Sequence, residues 1–186
     1  RDLVRSRGLG DVYKRQAANL FVGDHDPQNS KFLTLEELKL PDLQETLVDH
    51  NPGGGKVGVE FGVGVEKLEP TFKLKGWDIP LLRNFGLGST VRKNFTAYGV
   101  VRDKKSGKAL EAKAIMEGRL SRVAPDTFQR GEAMGHEYGI NEVLHYELFF
   151  DGKEELYWDF FTNTLRLGGV DPDPDFNSIL RISNGA

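Results

Sequence analysis

The stretch Glu66-Lys67-Leu68-Glu69-Pro70-Thr71-Phe72-Lys73-Leu74-Lys75 alternates apolar and polar residues. Leu68, Pro70, Phe72 and Leu74 fall on one face of an extended chain, and Lys67, Glu69, Thr71, Lys73 and Lys75 on the other. Successive side chains of a strand point to opposite sides, so a period of two predicts a half-buried β-strand rather than a helix. Pro70 cannot donate a ladder hydrogen bond. That predicts an edge strand, or a bulge, carrying Lys67, Glu69, Pro70, Thr71 and Lys73.

The alternation extends outward from there. Upstream, Val57, Val59, Phe61, Val63 and Val65 alternate with Lys56, Gly58, Glu60, Gly62 and Gly64. Glycines along one face of a strand let another backbone approach closely. Downstream, Ala112, Ala114, Met116, Gly118 and Leu120 oppose Lys113, Glu117, Arg119 and Ser121. Leu144, Tyr146, Leu148 and Phe150 oppose His145 and Glu147, and Asp151-Gly152 is a strong two-residue hairpin signal. The next run, Glu155 to Phe161, is rich in aromatics that suit a pleated surface.

One short helix interrupts this pattern. Asp78 is a good N-cap, Pro80 suits the first turn, Leu81, Leu82 and Phe85 share a face, and Gly86 offers a left-handed stop. Thr34-Leu35-Glu36-Glu37 has the form of a capping box, yet Pro41 comes soon after it, so residues 34–40 read equally as helix or strand. His50-Asn51-Pro52-Gly53-Gly54-Gly55 and the proline-broken run Val170 to Asp175 read as loops. The whole predicts a mainly β chain, an antiparallel β-sandwich or barrel with one short flanking helix, as a single domain over residues 17–186.

Composition is consistent with that reading. With 186 residues, 38% of them hydrophobic, the chain can fill one core. It has no cysteine, so neither disulfides nor zinc–thiolate sites exist. No apolar run approaches the roughly 20 residues of a membrane-spanning helix. The formal charge of -3 argues against a protein built to grip nucleic-acid phosphates. Arg1, Arg5, Arg7, Lys14 and Arg15 against Asp2 and Asp11 make residues 1–16 basic by +3, leaving -6 on residues 17–186. The run Ser6-Arg7-Gly8-Leu9-Gly10-Asp11-Val12-Tyr13-Lys14-Arg15-Gln16 looks like a reading-frame translation of a transposon adaptor used in sequencing libraries. Residues 1–16 are therefore expected to be foreign to the native protein, and fold and function are read from Ala17 onward.

Chemistry finds little footing. His25, His50, His136 and His145 show none of the close spacings that capture metal, and alternation carries His136 and His145 toward polar faces. Asp171, Asp173 and Asp175 open like a calcium loop, but Phe176 and Ile182 stand where Gly and Glu are needed. Gly62-Val63-Gly64 is a fragment of a dinucleotide fingerprint without its βαβ unit. No nucleophile elbow and no phosphate loop appear. No catalytic residue, cofactor site or metal site is predicted.

The order of short motifs from Ala18 to Gly169 resembles the major tail tube protein of contractile-tailed bacteriophages. The resemblance is carried by Ala18-Asn19-Leu20-Phe21-Val22, Lys39-Leu40-Pro41-Asp42-Leu43, Gly53-Gly54, Gly64-Val65-Glu66-Lys67-Leu68-Glu69 with Phe72, and Leu82-Arg83-Asn84-Phe85-Gly86. It continues through Gly118-Arg119-Leu120, Asp126-Thr127-Phe128, Gly131-Glu132, Tyr146, Asp151-Gly152, Asp159, Asn163 and Gly169-Val170-Asp171. It implies a strand at residues 34–40. The acidic-proline run Asp171 to Asp175 and residues 176–186 lie outside the resemblance, and the end at Gly185-Ala186 is expected to be truncated.

The resemblance implies a structural virion protein without enzymatic activity. Six copies would form a ring, and rings would stack into the inner tube of a contractile tail, the conduit for DNA ejection. Partners would be further copies of the chain, the sheath, baseplate and tape measure proteins, with DNA passing the lumen unbound and no membrane. The protein would be assembled in the bacterial cytoplasm and reside in the virion tail. The loop His50, Asn51, Pro52, Gly53, Gly54 and Gly55 is expected to reach an adjacent subunit or ring. Two other readings compete. One is the tube protein of a phage-like contractile injection or type VI-like secretion system. The other is a lectin-like sandwich using Trp77, Trp158 or Tyr157 as a stacking platform.

Overall fold

The computed structural model describes residues 13–86 and 92–182. In chain order it holds β1 (Tyr13–Val22), β2 (Leu35–Lys39), β3 (Glu45–His50), β4 (Val59–Val65), β5 (Thr71–Lys75), α1 (Ile79–Leu82), β6 (Lys93–Asp103), β7 (Ala109–Pro125), β8 (Gly135–Phe150), β9 (Lys153–Asp159), β10 (Thr164–Leu167) and α2 (Phe176–Ile179). The architecture is mainly β, and the strand pairs are antiparallel. One sheet runs β1-β6-β7-β8-β5-β2, with β9 joined to β8 and β10 to β9, and a second sheet consists of β3 and β4. Among the described residues no helix is long and apolar enough to cross a membrane.

The chain groups into two compact units, one drawn from Arg1–Leu35, Arg92–Gly118 and Leu144–Ala186, the other from Glu36–Val91 and Arg119–Val143. In the first, Leu20, Val22, Phe95, Ala97, Ala114, Met116, Tyr146 and Leu156 are buried. The inward face predicted for β7 through Ala114 and Met116 is therefore the one that packs. Asp151 (φ 49) and Gly152 (φ 77) are both left-handed, the backbone that a two-residue hairpin matching strand twist requires. The β6–β7 turn is closed by the Asp103 carboxylate, which accepts from the Lys105 and Ser106 amides.

β1 begins at Tyr13, inside the segment set apart on sequence grounds. Tyr13, Lys14 and Arg15 register with Asp103, Arg102 and Val101, then a bulge precedes Ala17. The side chains of Lys14, Arg15 and Gln16 are exposed, so the backbone carries most of this pairing, which almost any sequence can supply. The rest of that segment, residues 1–12, and the end at Gly185-Ala186 lie outside the described residues.

In the second unit Leu68, Pro70, Phe72 and Leu74 are all buried, as the alternation requires. The hydrogen-bonded strand is shorter than the alternating run. It starts at Thr71, and Glu66 to Pro70 lead into it outside any strand. Nor is it an edge. β5 lies between β8 and β2, so the expected edge at Lys67, Glu69, Pro70, Thr71 and Lys73 belongs instead to β2. Pro70 is tolerated because it precedes the strand, where its carbonyl accepts from the Ile140 amide at 3.0 Å and no N–H is needed. Within the ambiguous residues 34–40, Leu35–Lys39 form the strand β2.

The predicted short helix is α1. The Asp78 carboxylate accepts from the Leu81 amide at 2.9 Å, and Leu81 is buried. The helix stops on Arg83 in right-handed conformation, before Gly86 is reached. α2 is a second short helix, directly after the proline-broken loop, where no element was expected. His136 is buried rather than on a polar face, its Nδ1–H donating to the Gly76 carbonyl at 3.1 Å beside the ring of Trp77.

Candidate assembly interface

β3 and β4 form a hairpin whose strand residues are all exposed. Val48 stands opposite Phe61 and His50 opposite Val59, so these four share one face; Asp49 opposite Glu60 and Leu47 opposite Gly62 share the other. The rings of His50 and Phe61 lie 5.8 Å apart, a diagonal contact along the first face. The Glu66 amide donates to the Gln44 carbonyl at 2.8 Å and closes the base of the hairpin. A two-stranded ribbon is marginal alone in water, and this one exposes valine and phenylalanine along a whole face.

The loop singled out in the sequence sits at its tip. His50 ends β3, and Asn51, Pro52, Gly53, Gly54 and Gly55 turn the chain back, with the Gly55 amide donating to the Pro52 carbonyl at 2.9 Å. A Cβ on Gly55 would strike the Pro52 ring, and one on Gly58 would strike the Asn51 side chain. Glycine is what lets the tip fold tightly at these two places. The run Val59 to Val65 was legible as an alternating strand; that its apolar face meets water was not, since alternation reports periodicity and not what covers it.

Of the other residues singled out, Lys67, Glu69 and Lys73 are drawn into ion pairs. Lys67 Nζ lies 2.9 Å from Glu69 Oε1, which also accepts from Asn141 Nδ2 at 2.8 Å. The hydrogen bond from Lys67 holds the Glu69 carboxyl below its usual range, and Glu69 in turn raises Lys67. Lys73 Nζ reaches Asp126 at 3.0 Å, and that hydrogen bond raises it. These contacts tie the strand and its approach to neighbouring segments. Pro70 is buried and Thr71 half-buried.

A polar network covers β8, β9 and β10. Arg166 donates to both carboxylate oxygens of Glu154 at 3.0 Å, and its guanidinium carbon stacks 3.8 Å from the Tyr157 ring centre. His145 lies between Asp159 (3.0 Å) and Glu147 (2.6 Å), edge-on to the same ring. Arg166 occupies one face of Tyr157, so that face offers a sugar ring no platform.

A family model described as phage tail tube protein FII matches residues 16–179. Among solved structures the chain is similar to a protein of an extracellular contractile injection system, a PVC sheath-tube complex in the extended state, with TM-score 0.52 and 9% identity over 72% of this chain and 88% of that one. That likeness is one of fold. It is also similar to a PVC sheath/tube terminator, with TM-score 0.49 and 9% identity over 72% of this chain and 92% of that one. A third similar structure is an anti-feeding prophage baseplate, with TM-score 0.44 and 11% identity over 78% and 97% of the two chains. No curated protein matches.

Proposed function

The chain belongs to the phage tail tube protein FII family, and on that premise we propose that its β3–β4 hairpin is the arm by which one copy grips another. The protein is a structural component of a phage-type tail tube. The observation that carries the proposal is the uncovered apolar face of Val48, Val59 and Phe61 on a ribbon too thin to be stable alone. A surface of that kind is a hazard to a solitary protein and an asset to a polymer.

Six copies close into a ring and rings stack into the tube. The sheet ends at β1, at β2 and, on its β9 branch, at β10, and joining such edges between copies removes unpaired backbone groups. The -6 carried by residues 17–186 suits a conduit that repels DNA and lets it slide unbound. The sheath, baseplate and tape measure proteins are its other partners. Assembly in the host cytoplasm and residence in the virion tail belong to the same reading.

Deleting Asn51 to Gly55 tests the arm. Electron microscopy of the purified full chain is expected to show tubes or stacked rings, and the deletion variant soluble subunits or single rings. Normal tubes from the variant would reject the proposal.

A further inference from the structure

α2 is held by a polar anchor and presents apolar side chains to water. Asn177 is buried; its Nδ2 donates to the carbonyls of Thr162 at 3.1 Å and Asn163 at 2.9 Å, and its Oδ1 accepts from Asn163 Nδ2 at 2.7 Å. A helix of four residues has almost no stability of its own, so these bonds are what tie it to the β9–β10 turn. Around the anchor Phe160, Phe161, Phe176, Ile179 and Leu180 are exposed, Ile179 at 75% and Phe161 at 68%. The Phe160 and Phe161 rings meet edge to face with centres 5.6 Å apart. Single exposed apolar residues are ordinary; a group of them arranged around a buried amide clamp marks a surface made to be covered.

We propose that the occupant of this platform is the Val48–Val59–Phe61 face of the hairpin from a copy in the next ring, an inference that rests on the tube reading above. A tube growing end to end from one kind of chain needs a heterologous contact, in which two different surfaces of each copy meet their counterparts on the copies before and after. A self-complementary patch closes a pair and stops. Among the described residues the hairpin strip and the α2 platform are surfaces of different shape, one a flat pleated strip and the other a helical turn beside two aromatic rings, both exposed in the single chain.

Charge agrees with the pairing. Asp49 and Glu60 lie on the opposite face of the hairpin, so the strip itself carries no carboxylate, and Lys56 stands at the tip. The platform is preceded in sequence by Asp171, Asp173 and Asp175. Seating the strip lets Lys56 meet those acids while Asp49 and Glu60 stay on the solvent side.

The absence of cysteine makes the test direct. Full-length Val48→Cys, Ile179→Cys and the double variant are assembled, checked for tubes by electron microscopy, treated with a short bismaleimide and run on denaturing gels. The double variant is expected to give a ladder extending beyond the size of one ring, a mixture of the single variants only dimers, and each single variant alone monomer. The pair Val59→Cys with Leu180→Cys repeats the test should the first perturb folding. Tubes without a ladder, a ladder that stops at ring size, or dimers from Val48→Cys alone would each overturn the pairing while leaving the tube reading intact. An unmodified chain that forms no tubes overturns both.

Discussion

Val48 and Phe61 stand directly opposite each other across the β3–β4 ladder, and both are about half exposed, at 51% and 55%. A cross-strand pair of this kind contributes about 0.2–1 kcal/mol to a sheet, little beside the area it leaves in water. Its value lies in the contact it has yet to make.

Phe61→Asp is therefore expected to separate folding from assembly. Its effect on unfolding should stay within about 0.5 kcal/mol, as for other surface changes, while sedimentation shows polymer replaced by small species. Leu74→Ala, at a fully buried site of the second unit, should instead cost about 2–5 kcal/mol in denaturant unfolding. A Phe61→Asp protein that still polymerises would remove the hairpin from the assembly.

Burial pushes the Tyr146 phenol up to about 12. A folded-state pKa raised above the unfolded value near 10 means that the contribution is fully present below about pH 10 and is lost as pH rises through 10 toward 12. Thermal unfolding should show Tm falling over that window, with a shallower fall in Tyr146→Phe. Parallel profiles for the two proteins would place the alkaline loss elsewhere.

Arg166 acts on Glu154 in the opposite sense. Its paired hydrogen bonds hold the Glu154 carboxyl below the ordinary 4.5, outweighing partial desolvation. The resulting stability is present above the unfolded value and disappears as pH falls through the lowered one. Glu154→Gln should be less stable than the parent at neutral pH by about 1 kcal/mol or less, and the gap should close in acid. Tm measured from neutral pH down to about 3 reads the closure directly.

Asn177→Ala should release α2 and leave the core intact. Loss of the amide's hydrogen bonds is expected to cost about 1–3 kcal/mol locally. The Ile179 and Leu180 amides, which donate to Asp175 and Phe176, should then exchange roughly tenfold faster or more, at tenfold per 1.4 kcal/mol. Amides of β6 and β7 should keep their protection. Uniform acceleration across the chain would show that Asn177 supports the whole first unit.

Local chemistry in the sequence carried far where a rule needs only near neighbours. Asp78 as cap of α1, Asp151-Gly152 as a tight turn, and the inward faces of Leu68 to Leu74 and Ala114 to Met116 are all present as read. Edge position was not legible, because which strand lies beyond β5 depends on β2, more than thirty residues away in the chain. The phase of β8 was not legible either. Ile140 and Val143 are both buried, and the odd step between them falls at Glu142, held at φ 50. No residue type announces such a step, since glutamate is not a usual choice for left-handed backbone.

The sequence by itself determined a cysteine-free, antiparallel β protein with the motif order of a tail tube, because period, turn chemistry and caps are set over a few residues. Only the tertiary structure decided which apolar faces stay open. Val59, Phe61 and Val63 alternate as cleanly as Phe72 and Leu74, yet the first set meets water and the second fills a core. Burial depends on what packs against a strand from elsewhere in the chain, and that information is not in the strand.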